Sequence, residues 1–368
     1  MSEVPVIAHA IAARASHKGE DASAAHNPGM AGPPAAFAVF DGHSGKQTAQ
    51  ICSEKVCERL LRQGAPFLPR AVADVMWALD EEIGTQQIKD GATSQMMLVE
   101  RAGEDRLRAL FAWTGDSSAV VSNMATGKPV YCTESHTAGP DHQGGGAHAL
   151  EKQRLELYCA VRKAIESKGV DTHRDEVGAD EVREAIEATG KLPTDELVAL
   201  LVRAFRRGRI IAETIPEGAA SRKAVFVRQR SAVDRVWVVA TAETQDDPGY
   251  RDLQMTRSIG DWYASDLVLP EPQTHSIEVP AGAVFRVCLA SDGLWDVCSF
   301  ALAADIMWRA PSVEAAAERL LRVAIDEYIG RRAHATMDDD TTVLVVELNP
   351  TGVKHVPPDL MSGCCALS

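Results

Sequence analysis

The chain has 368 residues, enough to bury a large core as one big domain or two, and its 45% apolar and 24% charged content is that of an ordinary globular protein. A net charge of −14 and a pI near 5.3 argue against nucleic acid as the main partner and against a purely electrostatic hold on anionic lipid. No apolar run approaches a membrane span, and Met1-Ser2-Glu3-Val4-Pro5 lacks the basic-then-apolar layout of a secretory signal. The eight cysteines include no Cys-x-x-Cys pair. Six of them (Cys52, Cys57, Cys132, Cys159, Cys288 and Cys298) sit in or beside apolar stretches and are expected as small buried thiols. A reducing compartment is the expectation, the cytosol or a cytosol-facing surface.

In chain order, residues 6–11 read as a strand that runs into a polar loop around Lys18-Gly19-Glu20-Asp21. The Gly/Pro-rich stretch 27–34 is a turn. Residues 46–62 form an amphipathic helix, with Ile51, Val56, Leu60 and Leu61 at helical spacing and Gly64 as its stop. A second helix is expected over 71–83. Two hairpins follow, 92–100 with 106–114, then 119–124 with 129–133 across Thr126-Gly127. From about 137 to 230 the texture changes to charged helices (149–167, 179–188 and 194–207, the last capped by Thr194) after the break Gly144-Gly145-Gly146. Strand texture returns at 233–242, and late helices are expected at 300–309 and 312–330. The order implies an α+β protein, with sheets carrying helices on their outer faces.

Two short apolar runs end in aspartate followed by glycine: Phe37-Ala38-Val39-Phe40-Asp41-Gly42-His43, and Val287 through Ser291 to Asp292-Gly293. A mirror image is Asp338-Asp339-Asp340 leading into Thr341-Thr342-Val343-Leu344. Buried strands deliver their terminal residues to one sheet edge, so Asp41, Asp292 and Asp339 can converge. Clustered carboxylates repel one another and ionise together only around a cation. Oxygen ligands suit a hard divalent ion, Mg²⁺ or Mn²⁺, and a glycine after the aspartate lets the backbone turn and bring a carbonyl close. Asp338 and Asp340 read as flanking charges that sharpen the negative potential. Arg257 and Asp261 read equally well as structural partners or as substrate contacts.

At these residues the chain resembles the metal-dependent serine/threonine protein phosphatases, the PPM or type-2C family. The shared motifs are Asp41-Gly42-His43-Ser44-Gly45, Gly91-Ala92-Thr93, Gly115-Asp116-Ser117, Thr256-Arg257-Ser258-Ile259-Gly260-Asp261, Ser291-Asp292-Gly293-Leu294-Trp295-Asp296 and Asp339-Asp340-Thr341-Thr342-Val343. They stand in the family's order and span most of the chain outside 137–230 and the tail.

The resemblance implies two antiparallel β-sheets packed as a sandwich with helices on the outer faces. It also implies hydrolysis of phosphoserine and phosphothreonine in phosphoprotein substrates by a hydroxide bridging two Mn²⁺ or Mg²⁺ ions. In that reading Asp41 bridges the ions, Gly42 adds its carbonyl, Asp292 and Asp339 complete one shell, and Glu20 and Asp21 hold metal-bound waters. His43 is the general acid for the leaving alkoxide. Asp116 and Asp296, with Asp292, form a third metal site.

Three departures stand out. The family's phosphate-gripping Arg lies four residues before its Glu-Asp pair, whereas here Arg14 lies six before Glu20 and Lys18 two before, so either takes the role. Gly115-Asp116-Ser117-Ser118 lacks the usual following Arg, and the gap from Asp116 to Asp261 is long. The catalytic domain is expected over 1–348, with an inserted helical flap at about 137–230. The rival reading is a pseudophosphatase that uses the sandwich as a binding scaffold. Residues 349–368 read as a flexible tail whose last four residues, Cys365-Ala366-Leu367-Ser368, match a C-a-a-X box for farnesylation, with Cys364 open to palmitoylation as a second membrane anchor.

Overall fold

The computed structural model describes residues 6–28, 33–137, 148–214, 225–230, 235–240, 252–264, 266–331, 339–353 and 355–358. Asp338, the run Gly144-Gly145-Gly146 and the C-terminal cysteines Cys364 and Cys365 lie outside them.

The first half supplies β1 (Val6–Arg14), β2 (Ala22–His26), β3 (Ala35–Phe40), β4 (Gly42–His43), α1 (Gln47–Arg62), α2 (Pro69–Thr85), β5 (Gly91–Ala92), β6 (Ser94–Arg101), β7 (Leu107–Thr114), β8 (Ser118–Asn123) and β9 (Lys128–Cys132). The middle holds α3 (His148–Glu166), α4 (Ala179–Ala188), α5 (Asp195–Thr214), β10 (Val225–Arg230), β11 (Arg235–Ala240), β12 (Asp252–Leu253) and β13 (Ile259–Gly260). The last part adds β14 (Gln273–Val279), β15 (Phe285–Ala290), α6 (Asp292–Trp295), α7 (Phe300–Arg309), α8 (Val313–Ile325), a π-helical turn Asp326–Arg331 and β16 (Thr341–Asn349). The chain divides into two units, one of residues 1–75, 90–134 and 272–368, the other of 76–89 and 135–271.

The first unit is the expected α+β sandwich. One sheet has the order β1-β16-β15-β8-β9 and the other β14-β7-β6-β3-β2, and their pairings are antiparallel. Side chains alternate with the strand period of two. On β16, Leu344, Val346 and Leu348 point into the space between the sheets, where they meet Phe37, Val39, Met97, Phe111 and Trp113. Val343 and Val345 point the other way, onto a layer built from Leu294, Met307, Ala316, Leu320 and Tyr328 of α6 to α8 and the turn after them. All of β3 is buried, because it has the sandwich on one face and α1 on the other. Arg286, 2% exposed, pairs with Glu347 at 2.8 Å and donates to the carbonyls of Met307 and Ala310 at 2.7 Å, so it closes the C-terminal end of α7.

Helix α1 starts at Gln47, and its first amides are capped from outside the helix: Gln47 and Thr48 N–H donate to the Asp90 carboxylate at 2.9 Å. The second unit has its own core, with Leu155, Tyr158, Val161, Val182, Ile186, Leu201 and Phe205 of α3 to α5 packed against Leu267 and Leu269. Thr194 caps α5 as expected, accepting the Leu197 N–H at 3.2 Å. One cysteine expectation fails. Cys159 is exposed, because its place on α3 faces away from that core, while Cys57 and Cys132 are half-buried and Cys52, Cys288 and Cys298 are buried.

Candidate functional site

The carboxylates singled out in the sequence belong to the first unit and gather at strand ends. Asp41 follows β3, Asp116 lies in the turn between β7 and β8, Asp292 opens α6 after β15, and Asp339 precedes β16. Glu20 and Asp21 sit in the loop between β1 and β2. Burial pushes the Asp41 carboxyl well above its ordinary value, and the charges of Asp292, Asp21, Asp116 and Asp339 add to it. Asp116 is pushed up to about 7 by burial and then by Asp292, with Asp339 adding and His43 opposing. Asp21 is likewise raised to about 7 by burial, with Asp340 and Asp292 adding and hydrogen bonds from Thr342 and Ser291 opposing. Five aspartates from five separate segments therefore feel one another's charge.

Local hydrogen bonds hold these segments in register. Thr93 N–H donates to the Asp41 carbonyl at 2.9 Å, and the Thr93 hydroxyl shares a 2.6 Å bond with that of Ser117. Three motifs are thus tied at one point. Gly42 pairs with Ala92, and His43 with Gly91. A side chain at Gly42 would strike the Glu20 carbonyl, since a Cβ there would lie 2.5 Å from that oxygen. Gly293 packs against the Asp340 carbonyl in the same way, at 2.0 Å from a Cβ. After His43 the chain turns through Ser44 with φ at 61°, a left-handed conformation that costs a non-glycine residue about 1 kcal/mol or more.

Asp340 does more than flank the ligands. Its carboxylate accepts the backbone N–H groups of Ser16, Gly19, Glu20 and Asp21, the last at 3.3 Å. Although burial acts to raise it, those amides hold Asp340 below the usual carboxylate range. Its carboxylate therefore shapes the Ser16-to-Asp21 loop, in addition to the flanking negative charge that it adds at Asp21. Asp339, one residue earlier, instead accepts the Lys18 ammonium at 2.8 Å. Arg14 ends β1, opposite Thr341, and is exposed. Asp296 follows α6, with its N–H on the Asp292 carbonyl at 2.8 Å. Neither the Asp340 cradle nor the Ser291 bridge to Asp21 had a sequence signal beyond proximity to the motif aspartates.

Arg257 and Asp261 belong to the second unit. Arg257 grips Glu151 of α3 with two bonds, Nη2 to Oε1 at 2.6 Å and Nε to Oε2 at 3.0 Å, and donates to the Glu271 carbonyl at 2.9 Å. Asp261 is buried, at φ 57°, and accepts the Ser258 hydroxyl. Both have the structural partners that the sequence left open.

The donor set at the aspartates is oxygen only. Among the described residues no three carboxylate, imidazole or thiol groups converge tightly enough to chelate an ion as they stand. Asp21 Oδ1 and Asp116 Oδ1 are nevertheless buried and accept no hydrogen bond from the described residues. Buried, mutually repelling carboxylate oxygens fit a hard divalent cation.

A sandwich of this topology, with aspartates at its strand ends, defines an α+β class of protein. The family model described as protein phosphatase 2C matches residues 12–159 and 226–333, more than half of the chain, and the chain belongs to that family. It is 25% identical over 333 residues to probable protein phosphatase 2C 33 of Oryza sativa subsp. japonica, covering 88% of this chain and 56% of that protein. It is 26% identical over 332 residues to probable protein phosphatase 2C 5 of Arabidopsis thaliana, again covering 88% and 56%. The chain thus spans about half the length of these curated relatives. Its fold is similar to that of the serine-threonine phosphatase 2C from Toxoplasma gondii, with a TM-score of 0.58 at 16% identity over 94% of this chain and 98% of that one. Among the described residues no helix is long and apolar enough to cross a membrane.

Proposed function

We propose that this chain hydrolyses phosphoserine and phosphothreonine in phosphoprotein substrates and uses two Mn²⁺ or Mg²⁺ ions to do so. The observation that carries the reading is the gathering of Asp21, Asp41, Asp116, Asp292 and Asp339 from separate segments, with Asp21 Oδ1 and Asp116 Oδ1 buried and accepting no hydrogen bond from the described residues. Asp41, Asp292, Asp339 and the Gly42 carbonyl would hold the ions, Glu20 and Asp21 would hold their waters, and Asp116 with Asp296 would take a third. Bound there, the ions would acidify water and neutralise phosphoryl oxygens. The chain's own groups do the rest. Arg14, exposed at the end of β1, grips the substrate phosphate. His43, half-buried beside the charge of Asp116, holds the proton that the leaving alkoxide needs.

The catalytic domain in this proposal spans 1–348, with the segment 137–230, which contains α3 to α5, as an added flap. Where Ser368 is the mature end, Cys365 would take a farnesyl group and Cys364 a palmitoyl group, which would place the enzyme on a cytosolic membrane face; mass spectrometry of the C-terminal peptide tests that part. The test of the activity is hydrolysis of a phosphothreonine peptide with EDTA and with added Mn²⁺. Turnover that needs Mn²⁺ supports the phosphatase. Absence of both turnover and Mn²⁺ binding favours a pseudophosphatase scaffold.

A further inference from the structure

The Ser16-to-Asp21 loop is fixed at its backbone and sends the Lys18 side chain outward. Asp340 holds four of its amides, and Lys18 N–H donates to the Ser16 hydroxyl at 3.0 Å. The Lys18 side chain reaches out of this frame to place its ammonium 2.8 Å from Asp339 Oδ1. That same oxygen accepts the Asp340 N–H at 2.9 Å, so a carboxylate oxygen of the cation site is already satisfied twice. The ammonium therefore pairs with a proposed ion ligand at a strand end, not with a lone surface acid.

We propose that Lys18 is a built-in counter-ion of the carboxylate cluster, which offsets its repulsion before an ion enters and competes with the divalent cation for Asp339. This rests on the metal-dependent reading above. The partners suit an exchangeable contact: the Lys18 and Asp339 side chains are 37% and 34% exposed, and the four-carbon stem can swing into water without moving the pinned loop. An ion pair of that exposure is worth little in water, so a divalent ion with several carboxylates displaces it. The displacement still costs something, and that cost sets the ion's apparent affinity. A neutral side chain at position 18 then binds ions more tightly and tolerates their absence less well, two effects of opposite sign that a merely structural lysine would not produce.

The experiment is calorimetric titration of the full chain with Mn²⁺, together with thermal melting in EDTA, for the wild type, Lys18→Met and Lys18→Arg. Lys18→Met is expected to bind Mn²⁺ about three- to fivefold more tightly, the size of a half-exposed ion pair. It is also expected to melt about 2 °C lower in EDTA. Lys18→Arg, which keeps the charge, stays close to wild type in both. Unchanged or weaker Mn²⁺ binding by Lys18→Met overturns the proposal, and so does a higher melting temperature in EDTA. A wild-type protein that lacks phosphatase turnover while its Mn²⁺ titrations shift as described would overturn the activity assigned above and leave the role of Lys18 standing.

Discussion

The Ser291 hydroxyl donates to Asp21 Oδ2 at 2.8 Å and accepts the Thr342 N–H at 3.0 Å, so one side chain ties the N-terminal loop, the end of β15 and the start of β16 together. The two residues it joins directly, Asp21 and Ser291, lie 270 positions apart in the chain. Ser291 is fully buried. Ser291→Ala is expected to lower stability by about 1–2 kcal/mol, through one lost bond and one stranded amide. It should also weaken Mn²⁺ binding by about tenfold, the usual cost of losing an orienting partner behind a ligand. Denaturant melts in EDTA and Mn²⁺ titration check the two parts separately.

Asp41→Asn and Asp292→Asn are expected to abolish turnover and, in EDTA, to raise the melting temperature. Burial and the neighbouring charges, Asp292 first among them, oppose the charge of Asp41, so removing either charge relieves that opposition and the folded apoprotein gains what the site loses. Turnover assays and melting curves on the same preparations read both effects. Retained activity in both variants would sink the proposed mechanism.

The raised carboxyls give the metal-free protein a definite pH response. Asp21 and Asp116 rise from 3.8 unfolded to about 7 folded, so between those values the folded state holds protons that the unfolded state has lost. Stability without metal therefore falls as pH rises from about 4 to about 7. Mn²⁺ removes that penalty, and its stabilising effect should be larger at pH 7.5 than at pH 5.5. Melting curves at both values, with EDTA and with Mn²⁺, check the sign.

Much of this was legible in the sequence, and the reasons differ from element to element. The period-two alternation on β16 and β15 and the helical spacing of α1 are local patterns, and they fall where the residues place them. The placing of Asp41, Asp292 and Asp339 at strand ends was legible because each adjoins a short apolar run long enough for one buried strand. The start of α1 was not foreseeable in detail, since Lys46 makes no side-chain cap and Asp90, 43 residues beyond Gln47, supplies one instead. The amide contacts of Asp340 were not foreseeable for a related reason. Three consecutive acids look alike in a string, and only the fold shows that one faces amides while its neighbour faces a lysine. Cys159 failed because an apolar neighbourhood in sequence does not say which face of a helix a residue takes.

His43→Ala should reduce hydrolysis of an alkyl phosphate, such as a phosphoserine peptide, about 10²-fold or more, the usual contribution of a general acid. An aryl phosphate should lose much less, because a phenolate leaves without a proton. Comparing kcat on the two substrates checks it, and equal losses would remove His43 as the acid while leaving a role beside Asp116 intact.

Glu151 gives the last prediction, in the second unit. Its side chain is 3% exposed and lies between Arg257 at 2.6 Å and Arg154 at 3.0 Å, and its Oε2 also accepts the Thr256 hydroxyl at 2.8 Å. Burial alone would raise its carboxyl, but the two guanidinium groups outweigh burial and hold it far below the ordinary value of 4.5. Glu151→Gln keeps the shape and removes the charge, which leaves two buried cations facing each other. The cost is expected at about 3–5 kcal/mol near neutral pH, the range for breaking a buried ion pair. Because the folded carboxyl titrates below the unfolded one, the wild type's advantage is complete above pH 4.5 and shrinks as pH falls below it. Denaturant melts of both proteins at pH 7 and pH 3.5 measure this. A gap that stays constant, or widens on acidification, would show that Glu151 acts through packing and not through its charge on Arg154 and Arg257.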